Sequence, residues 1–472
     1  MSMTSWRPLW VGLWLGLFAG CADGGSGQIC TTEECPEDCD DVTGERCDIL
    51  DPSCRERILR AVMCVRGSLG EMPEVRVLTE EQYREELADP MPDAGGDAAV
   101  ADLDAGEVAD AESGLDGSAD AALAQDAGAD ATEDAQVKPA RDTWSAGLWL
   151  MGLLERTQDL DEASVESQAA AVAGYYASTT KSITLIDRGT PQDSDSAMSI
   201  LAHELVHALQ DQQMGLFELN ERTGGSYDSS YSRGCLVEGE ATLYESLAMG
   251  LLLGFSVEPR GWDVGFAQRL KYARRGVITA DSPFASLWLL QYPVGGRYVA
   301  DVWLDRGARG VAQLYGAPPP STIHWMHGYR ATQNLSSPLV LALACTTARP
   351  PEGYRLETAW SMGPFALFAM LARELREDGV YQSEAWWQTA LAWRQDKLSV
   401  LVDQSEQVAA SWRIRMSSPE LAQSLADALL QGSSLDLEIK VRGAELELLA
   451  AEDPAALEAW QGTDPELCNL ER

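Results

Sequence analysis

Basic residues are scarce in this 472-residue chain, which has 35 Lys and Arg against 74 Asp and Glu and a formal net charge of −39. A nucleic-acid-binding surface needs clustered positive charge, so this imbalance argues against a nucleic acid as a partner. Histidine is scarcer still, with four residues in two short segments. Because 45% of the residues are hydrophobic, the chain can nevertheless build at least one large folded core.

Long apolar runs are also missing. Beyond the N-terminus, no stretch reaches the roughly 18 uncharged apolar residues that a transmembrane helix needs. Residues 1–20 combine Arg7 with an apolar run from Leu9 to Phe18, which predicts a signal peptide. The string that ends Ala19-Gly20-Cys21 resembles a bacterial lipobox, which implies a lipid anchor on Cys21 and export to the cell envelope, at the outer membrane or facing the periplasm. A plain secretory signal is the alternative.

The chain has ten cysteines, which fits an oxidising compartment. Six of them crowd into one short acidic segment: Cys30, Cys35, Cys39, Cys47, Cys54 and Cys64. We therefore expect residues 21–64 to form a small, lipid-anchored Cys-rich module held together by disulfides. A structural zinc cluster is the weaker alternative, because no histidine lies nearby.

Residues 89–141 differ sharply from their surroundings. They contain fourteen Asp or Glu against Lys138 and Arg141, and no aromatic residue. Such a segment cannot bury enough apolar surface to fold, so we expect a disordered Asp/Ala-rich linker. An acidic calcium-binding repeat is the alternative, but no fixed period with Asp at ligand spacing occurs.

The segment 142–349 has the patterns of a mixed, mainly helical domain of the α+β class. Helical periodicity covers Trp144–Leu154 and Glu162–Tyr176, and the β-branched run Ser182–Asp187 predicts a strand. A further helix should begin at an N-cap on Asp193 or Ser194 and end at Met214 before Gly215. Residues 350–472 are expected to be mostly helical and to end in a β-hairpin around Arg442-Gly443.

The helix that should end at Met214 carries two of the four histidines. His203 and His207 are four residues apart, so both imidazoles lie on one face and can reach one tetrahedral zinc ion. Glu204, beside them, is placed to take a proton from a water molecule that the ion has acidified. This spacing predicts a zinc site with Glu204 as its general base.

A catalytic zinc ion needs a third protein ligand downstream. The best candidate is Glu238, in the helix-compatible run Cys235 to Thr242, and Glu240 is the alternative. The two carboxylates point in nearly opposite directions around a helix, so only one of them can face the ion. Cys235, one turn before Glu238, is expected to be a buried and inert thiol, with metal ligation as the less favoured role.

Three motifs in this order resemble a group of bacterial gluzincin-type metallopeptidase lipoproteins. The motifs are His-Glu-Leu-Val-His-Ala-Leu-Gln-Asp-Gln at 203–212, Leu-Val-Glu-Gly-Glu-Ala-Thr at 236–242, and Pro-Ser-Thr at 320–322 followed by His-Gly-Tyr at 327–329. The resemblance extends from about Val65 towards the C-terminus and is weak beyond Arg349. It implies a zincin-like fold, Glu238 as the third ligand, and residues 65–88 as the start of the peptidase domain.

The resemblance also implies roles for residues outside the ligand set. His327 or Tyr329 would donate a hydrogen bond to the oxyanion formed from a peptide carbonyl, with His324 as the alternative histidine. The family often has an acidic residue four positions after the ligand glutamate, where this chain has Thr242. Asp211 is therefore expected to support a zinc histidine instead. The strand at 182–187 would offer an edge for pairing with an extended substrate.

The sequence as a whole predicts an exported, membrane-anchored zinc metallopeptidase that acts on a peptide or protein substrate. The alternative is a non-catalytic zinc-containing surface or binding lipoprotein.

Overall fold

The structure is a computed structural model, and it describes residues 39, 42–88, 142–156, 158–189, 191–216, 226–255, 259–333, 339–340, 350, 352–375, 383–453 and 455–457. The predicted signal peptide, Cys21, the acidic linker at 89–141, Cys345 and Cys468 lie outside these residues. Within the described ranges, none of the helices combines the length and the apolar character needed to cross a bilayer.

The described chain is mixed α and β and mainly helical, as predicted. The helices are α1 (Pro52–Arg66), α2 (Glu80–Ala88), α3 (Thr143–Leu150), α4 (Leu160–Ala171), α5 (Asp195–Met214), α6 (Tyr227–Leu253), α7 (Pro259–Thr279), a 3₁₀ helix (Phe284–Leu290), α8 (Gln291–Leu314), α9 (Thr322–His327), α10 (Tyr329–Thr332), α11 (Gly363–Glu374), α12 (Ser383–Ala390) and α13 (Pro419–Gly432). The strands are β1 (Glu74–Thr79), β2 (Gly174–Ala177), β3 (Ser182–Asp187), β4 (Tyr354–Trp360), β5 (Trp393–Asp403), β6 (Val408–Met416), β7 (Glu438–Arg442) and β8 (Glu445–Ala451).

A three-stranded sheet lies beside α5 and has the order β1-β3-β2. The strand predicted at Ser182–Asp187 is confirmed as β3. However, β3 is the central strand, parallel to β1 and antiparallel to β2, so the expectation that it offers a free edge is wrong. The helix expected over Glu162–Tyr176 ends earlier, at Ala171, because Gly174 begins the strand that pairs with β3.

One large hydrophobic core extends through the described chain, and within it the long helix α6 packs against both α5 and α8. The helices α6 and α8 cross in backbone contact at Gly239 and Gly295, where a Cβ on Gly239 would meet the backbone of Gly295. A Cβ on Gly295 would in turn lie on the carbonyl oxygen of Cys235. Because only glycine lets the two backbones approach this closely, this crossing fixes the part of α6 that carries Glu238 and Glu240.

The helix α1 packs against α5 and α6 and belongs to the same hydrophobic core. Two disulfides hold this region, Cys39–Cys64 and Cys47–Cys54. Disulfide pairing is thus present, but the described part of the segment is not a self-contained module. Its apolar residues, such as Ile58 and Val62, are completely buried in the shared core.

The C-terminal part contains much more strand than predicted. A five-stranded antiparallel sheet with the order β4-β5-β6-β8-β7 is packed against α11 and α13. The hairpin predicted around Arg442-Gly443 is confirmed as β7 and β8. The residues around Trp393 and Trp412 were expected in helices but lie in β5 and β6, where both indoles are buried.

Candidate metal centre

The two histidines of the candidate centre are presented by α5. This helix begins at the N-cap Ser194, whose side chain accepts from the backbone N–H of Ala197, and ends at Gly215 in a left-handed conformation. Both ends agree with the sequence prediction. His203, Glu204 and His207 lie within the helix, and all three are buried.

Glu238 on α6 joins the two histidines. Its Oε2 lies 3.1 Å from His203 Nε2 and 3.7 Å from His207 Nε2. One potential ligand atom from each of the three residues lies within 4.8 Å of the other two. Zinc bonds of about 2.0–2.1 Å in tetrahedral geometry place neighbouring ligand atoms about 3.3 Å apart. The two separations from Glu238 lie close to that value, so this donor set fits a small divalent cation.

Each histidine has a different supporting partner on its other ring nitrogen. His203 Nδ1 lies 3.3 Å from Glu245 Oε2, and His207 Nδ1 lies 2.7 Å from Gln210 Oε1. These contacts orient the rings with Nε2 towards Glu238. The centre therefore has one histidine supported by a carboxylate and one supported by a neutral amide.

Asp211 does not take the supporting role predicted for it. Its Oδ2 accepts from the Tyr176 hydroxyl at 2.7 Å and from Lys181 Nζ at 2.6 Å, and its Oδ1 accepts from the backbone N–H of Leu216. At position 211 the side chain is held towards β2 and the end of α5. Gln210 is the residue that contacts His207.

The alternative third ligand, Glu240, points away from the histidines. Its Oε1 accepts from Arg66 Nε at 2.8 Å, and both side chains are buried. The carboxylate also accepts from the Tyr315 hydroxyl. Cys235 is a buried free thiol, and burial raises its pKa well above the ordinary value, which makes it unreactive.

Glu204 is fully buried, and neither of its carboxylate oxygens makes a hydrogen bond of normal geometry to a described residue. The backbone N–H of Tyr176 on β2 approaches the carboxylate and acts to lower its pKa. Burial raises the pKa of Glu204 to about 7, although His203 and His207 act in the opposite direction. Burying a carboxylate without strong hydrogen bonds destabilises the folded state unless a water molecule, an ion or a ligand binds to it.

An aromatic cluster stands next to Glu204 and His203. It consists of Tyr83, Tyr175, Trp288 and Tyr292, and the ring of Tyr292 stacks on His203 at 5.7 Å between centroids. Tyr83 is fully buried, and its hydroxyl has no hydrogen-bond partner within the described part of the chain. Burial raises the pKa of Tyr83, and the nearby charge of Glu204 adds to that rise.

The downstream residues predicted to act on the oxyanion are bound to other partners. His327 Nε2 lies 3.3 Å from the carbonyl oxygen of Leu391, and His324 Nδ1 lies 3.2 Å from that of Ser321. The Tyr329 hydroxyl donates to Asp305 on α8 at 2.7 Å. The ring of Tyr329 packs on Tyr298 of α8 at 5.6 Å between centroids. The structure thus brings together His203, Glu204, His207 and Glu238, and it binds the Tyr329 hydroxyl to Asp305.

Three residues near the centre were missed from the sequence: Tyr83, Gln210 and Glu245. Gln210 is three residues after His207 and Glu245 is seven after Glu238, so helical spacing alone places each on the same face as a ligand. Tyr83 had no such signal, because 119 residues lie between it and His203, the first residue of the histidine motif.

Comparisons of the chain with protein-family models, with curated proteins and with solved structures find no match.

Proposed function

We propose that this protein is a zinc-dependent peptidase that is exported and held at the cell envelope by a lipid on Cys21. The observation that carries the proposal is the buried group of His203, His207 and Glu238, with the open carboxylate of Glu204 beside it. Two imidazoles and one carboxylate are one of the ligand sets of catalytic zinc sites, which also need a neighbouring base. A zincin-like domain is the fold that this arrangement and the motif resemblance suggest.

A zinc ion in such a site would acidify a water molecule and polarise the carbonyl of a peptide bond. The residues of the chain supply the remaining steps. His203, His207 and Glu238 would hold the ion, and Glu204 would accept the proton of the attacking water and return it to the leaving amine. Glu245 and Gln210 keep the two rings in orientation.

Tyr83 is the residue that we assign as hydrogen-bond donor to the oxyanion. Its hydroxyl is buried and has no hydrogen-bond partner in the described part of the chain, and the charge of Glu204 contributes to the raised pKa of this phenol. A hydroxyl fixed in a buried site stabilises developing negative charge more than one exposed to water. The Tyr329 hydroxyl, by contrast, is already bound to Asp305.

A non-catalytic, zinc-stabilised surface protein is the second candidate, and the burial of the centre favours it. Glu204 is 0% exposed, and Glu238, the most exposed of the three ligands, is 4% exposed. A substrate can therefore reach the centre only if the surrounding segments of the protein move. A structural zinc ion needs no such opening. It also needs no base, and the open carboxylate of Glu204 favours the peptidase.

The test is Glu204→Gln in the full chain, with Glu166→Gln, an exposed residue of α4, as the matched control. We expect peptide cleavage to fall by about 10²–10⁴-fold in Glu204→Gln while zinc content stays at one ion per chain. The control should equal the wild type. Cleavage at the wild-type rate by Glu204→Gln would disprove the mechanism, and a wild type that holds zinc but cleaves no peptide in a broad library would favour the structural role.

A further inference from the structure

Gln210 connects the two motifs of the centre. Its Oε1 lies 2.7 Å from His207 Nδ1, one turn earlier on α5. Its Nε2 donates to the carbonyl oxygen of Val237 and to Glu240 Oε2, both at 3.0 Å. One side chain therefore contacts a ligand histidine and two residues of the motif that contains Glu238.

The chemistry of these neighbours fixes the orientation of the amide. A backbone carbonyl can only accept a hydrogen bond, so the amide nitrogen of Gln210 must face Val237 and the amide oxygen must face His207. Since an amide oxygen also only accepts, Nδ1 of His207 carries a hydrogen, and in the neutral ring Nε2 then carries none. The lone pair of Nε2 then points towards Glu238, 3.7 Å away, as metal binding requires.

On the side away from His207, Gln210 contacts a buried ion pair and a tyrosine. Glu240 accepts from Arg66 on α1, and the side chains are 3% and 6% exposed. The Tyr315 hydroxyl donates to Glu240 and lies 3.0 Å from Gln210 Nε2, whose two hydrogens it shares with Val237 and Glu240. Because the charges of Arg66 and Glu240 cancel, this group holds Gln210 firmly without placing net charge beside His207, unlike Glu245 beside His203.

We propose that the Gln210 network, defined as Gln210, Glu240, Tyr315 and Arg66, is a positioning device for His207. It selects the tautomer and the ring orientation of His207 and thereby sets the affinity of the centre for a divalent cation. The inference rests on the proposed function, because it assumes that His207 is a metal ligand.

The experiment compares Gln210→Leu with Gln212→Leu in the full chain. Gln212 lies on the same helix, is exposed, and bonds only to the backbone of Glu71 among the described residues. We expect Gln210→Leu to weaken zinc binding by about 10–100-fold in chelator competition. We also expect nitrogen NMR of the metal-free protein to show His207 as a mixture of tautomers instead of one. Gln212→Leu should match the wild type in both measurements.

A second variant covers the case in which Gln210→Leu fails to fold. Tyr315→Phe removes only the hydroxyl that binds Gln210 and Glu240, and it should weaken zinc binding severalfold. The proposal would be overturned if a folded Gln210→Leu protein kept wild-type zinc affinity and a single His207 tautomer. If Gln210→Leu does not fold, the same result for Tyr315→Phe would overturn it. A wild type that binds no zinc would instead disprove the proposed function, while the tautomer of His207 would still test the network.

Discussion

Glu245 Oε2 lies 3.3 Å from Nδ1 of His203, while Glu238 Oε2 lies 3.1 Å from Nε2 of the same ring. Burial opposes a charge on this imidazole, but its hydrogen bonds to the two carboxylates raise the pKa of His203 well above the ordinary value. This shift favours the doubly protonated ring in the metal-free protein, and a bound cation must displace the second proton.

Replacing Glu245 with Gln should weaken zinc binding by about tenfold. The neutral side chain no longer increases the basicity of His203 as a metal ligand. Zinc displaces a proton, so affinity in the wild type should rise as the pH rises. In Glu245→Gln the pKa of His203 is lower, less of the ring is protonated, and the rise should be shallower. Chelator competition between about pH 6 and pH 8 measures both effects.

The control for Glu245→Gln is Glu166→Gln, which removes an exposed carboxylate on α4 and should leave zinc affinity unchanged. Identical affinities of the wild type and Glu245→Gln across the pH range would contradict the role of Glu245.

Two tyrosine variants separate the candidate oxyanion donors. Tyr83→Phe should lower kcat by about 10²-fold with little change in zinc affinity, because the lost hydrogen bond forms only as charge develops. Tyr329→Phe should stay near the wild-type rate, since its hydroxyl is bound to Asp305. Steady-state kinetics on one cleaved peptide decide between them. The reverse pattern would support the role predicted from the downstream motif.

Local spacing was enough to predict most of the candidate centre. The four-residue interval predicted that His203 and His207 lie on one face of a helix. Glu238 and Glu240 point in opposite directions around their helix, which predicted that only one of them could be a third ligand. The structure groups Glu238 with the histidines and pairs Glu240 with Arg66. Arg66 could not be predicted as that partner, because its approach depends on how α1 packs against α6.

Local signals predicted the fold less completely. Features that depend on residues adjacent in sequence were predicted. They are the helix caps at Ser194 and Gly215 and the strand at 182–187. The strands β5 and β6 were missed because their aromatic and apolar residues fit a buried helix as well as a strand buried on both faces. Long-range pairing with β4 and β8 determines their structure.

The crossing of α6 and α8 predicts a large loss of stability for Gly295→Ala. The added Cβ would overlap the backbone of Cys235, which cannot rotate away as a side chain can, so we expect a loss of about 3 kcal/mol or more in the free energy of unfolding. Gly276→Ala on α7 is the control, because its Cβ would meet only the flexible end of Leu289 at 3.0 Å. Denaturant titration compares the two, and equal stabilities would show that the helices do not cross this closely.

Asp228 on α6 makes the stability of the fold depend on pH. Its Oδ1 accepts from the backbone N–H of Thr322 at 3.0 Å and from the Thr322 hydroxyl at 2.6 Å. Burial raises the pKa of Asp228 to about 6 from the ordinary 3.8. Between these values the folded state holds the proton and the unfolded chain releases it, so this group lowers stability as the pH rises, by about 3 kcal/mol in total.

Asp228→Asn keeps the acceptor oxygen but does not titrate, and it isolates this effect from the other carboxylates. The unfolding free energy of the wild type minus that of Asp228→Asn should decrease by about 3 kcal/mol between about pH 4 and pH 7, as measured by denaturant titration. For the exposed control Asp281→Asn the same difference should stay constant. If this free-energy difference increased with pH, Asp228 would be stabilised as a carboxylate in the folded state, contrary to the prediction. A constant difference would show that burial does not shift the pKa of Asp228.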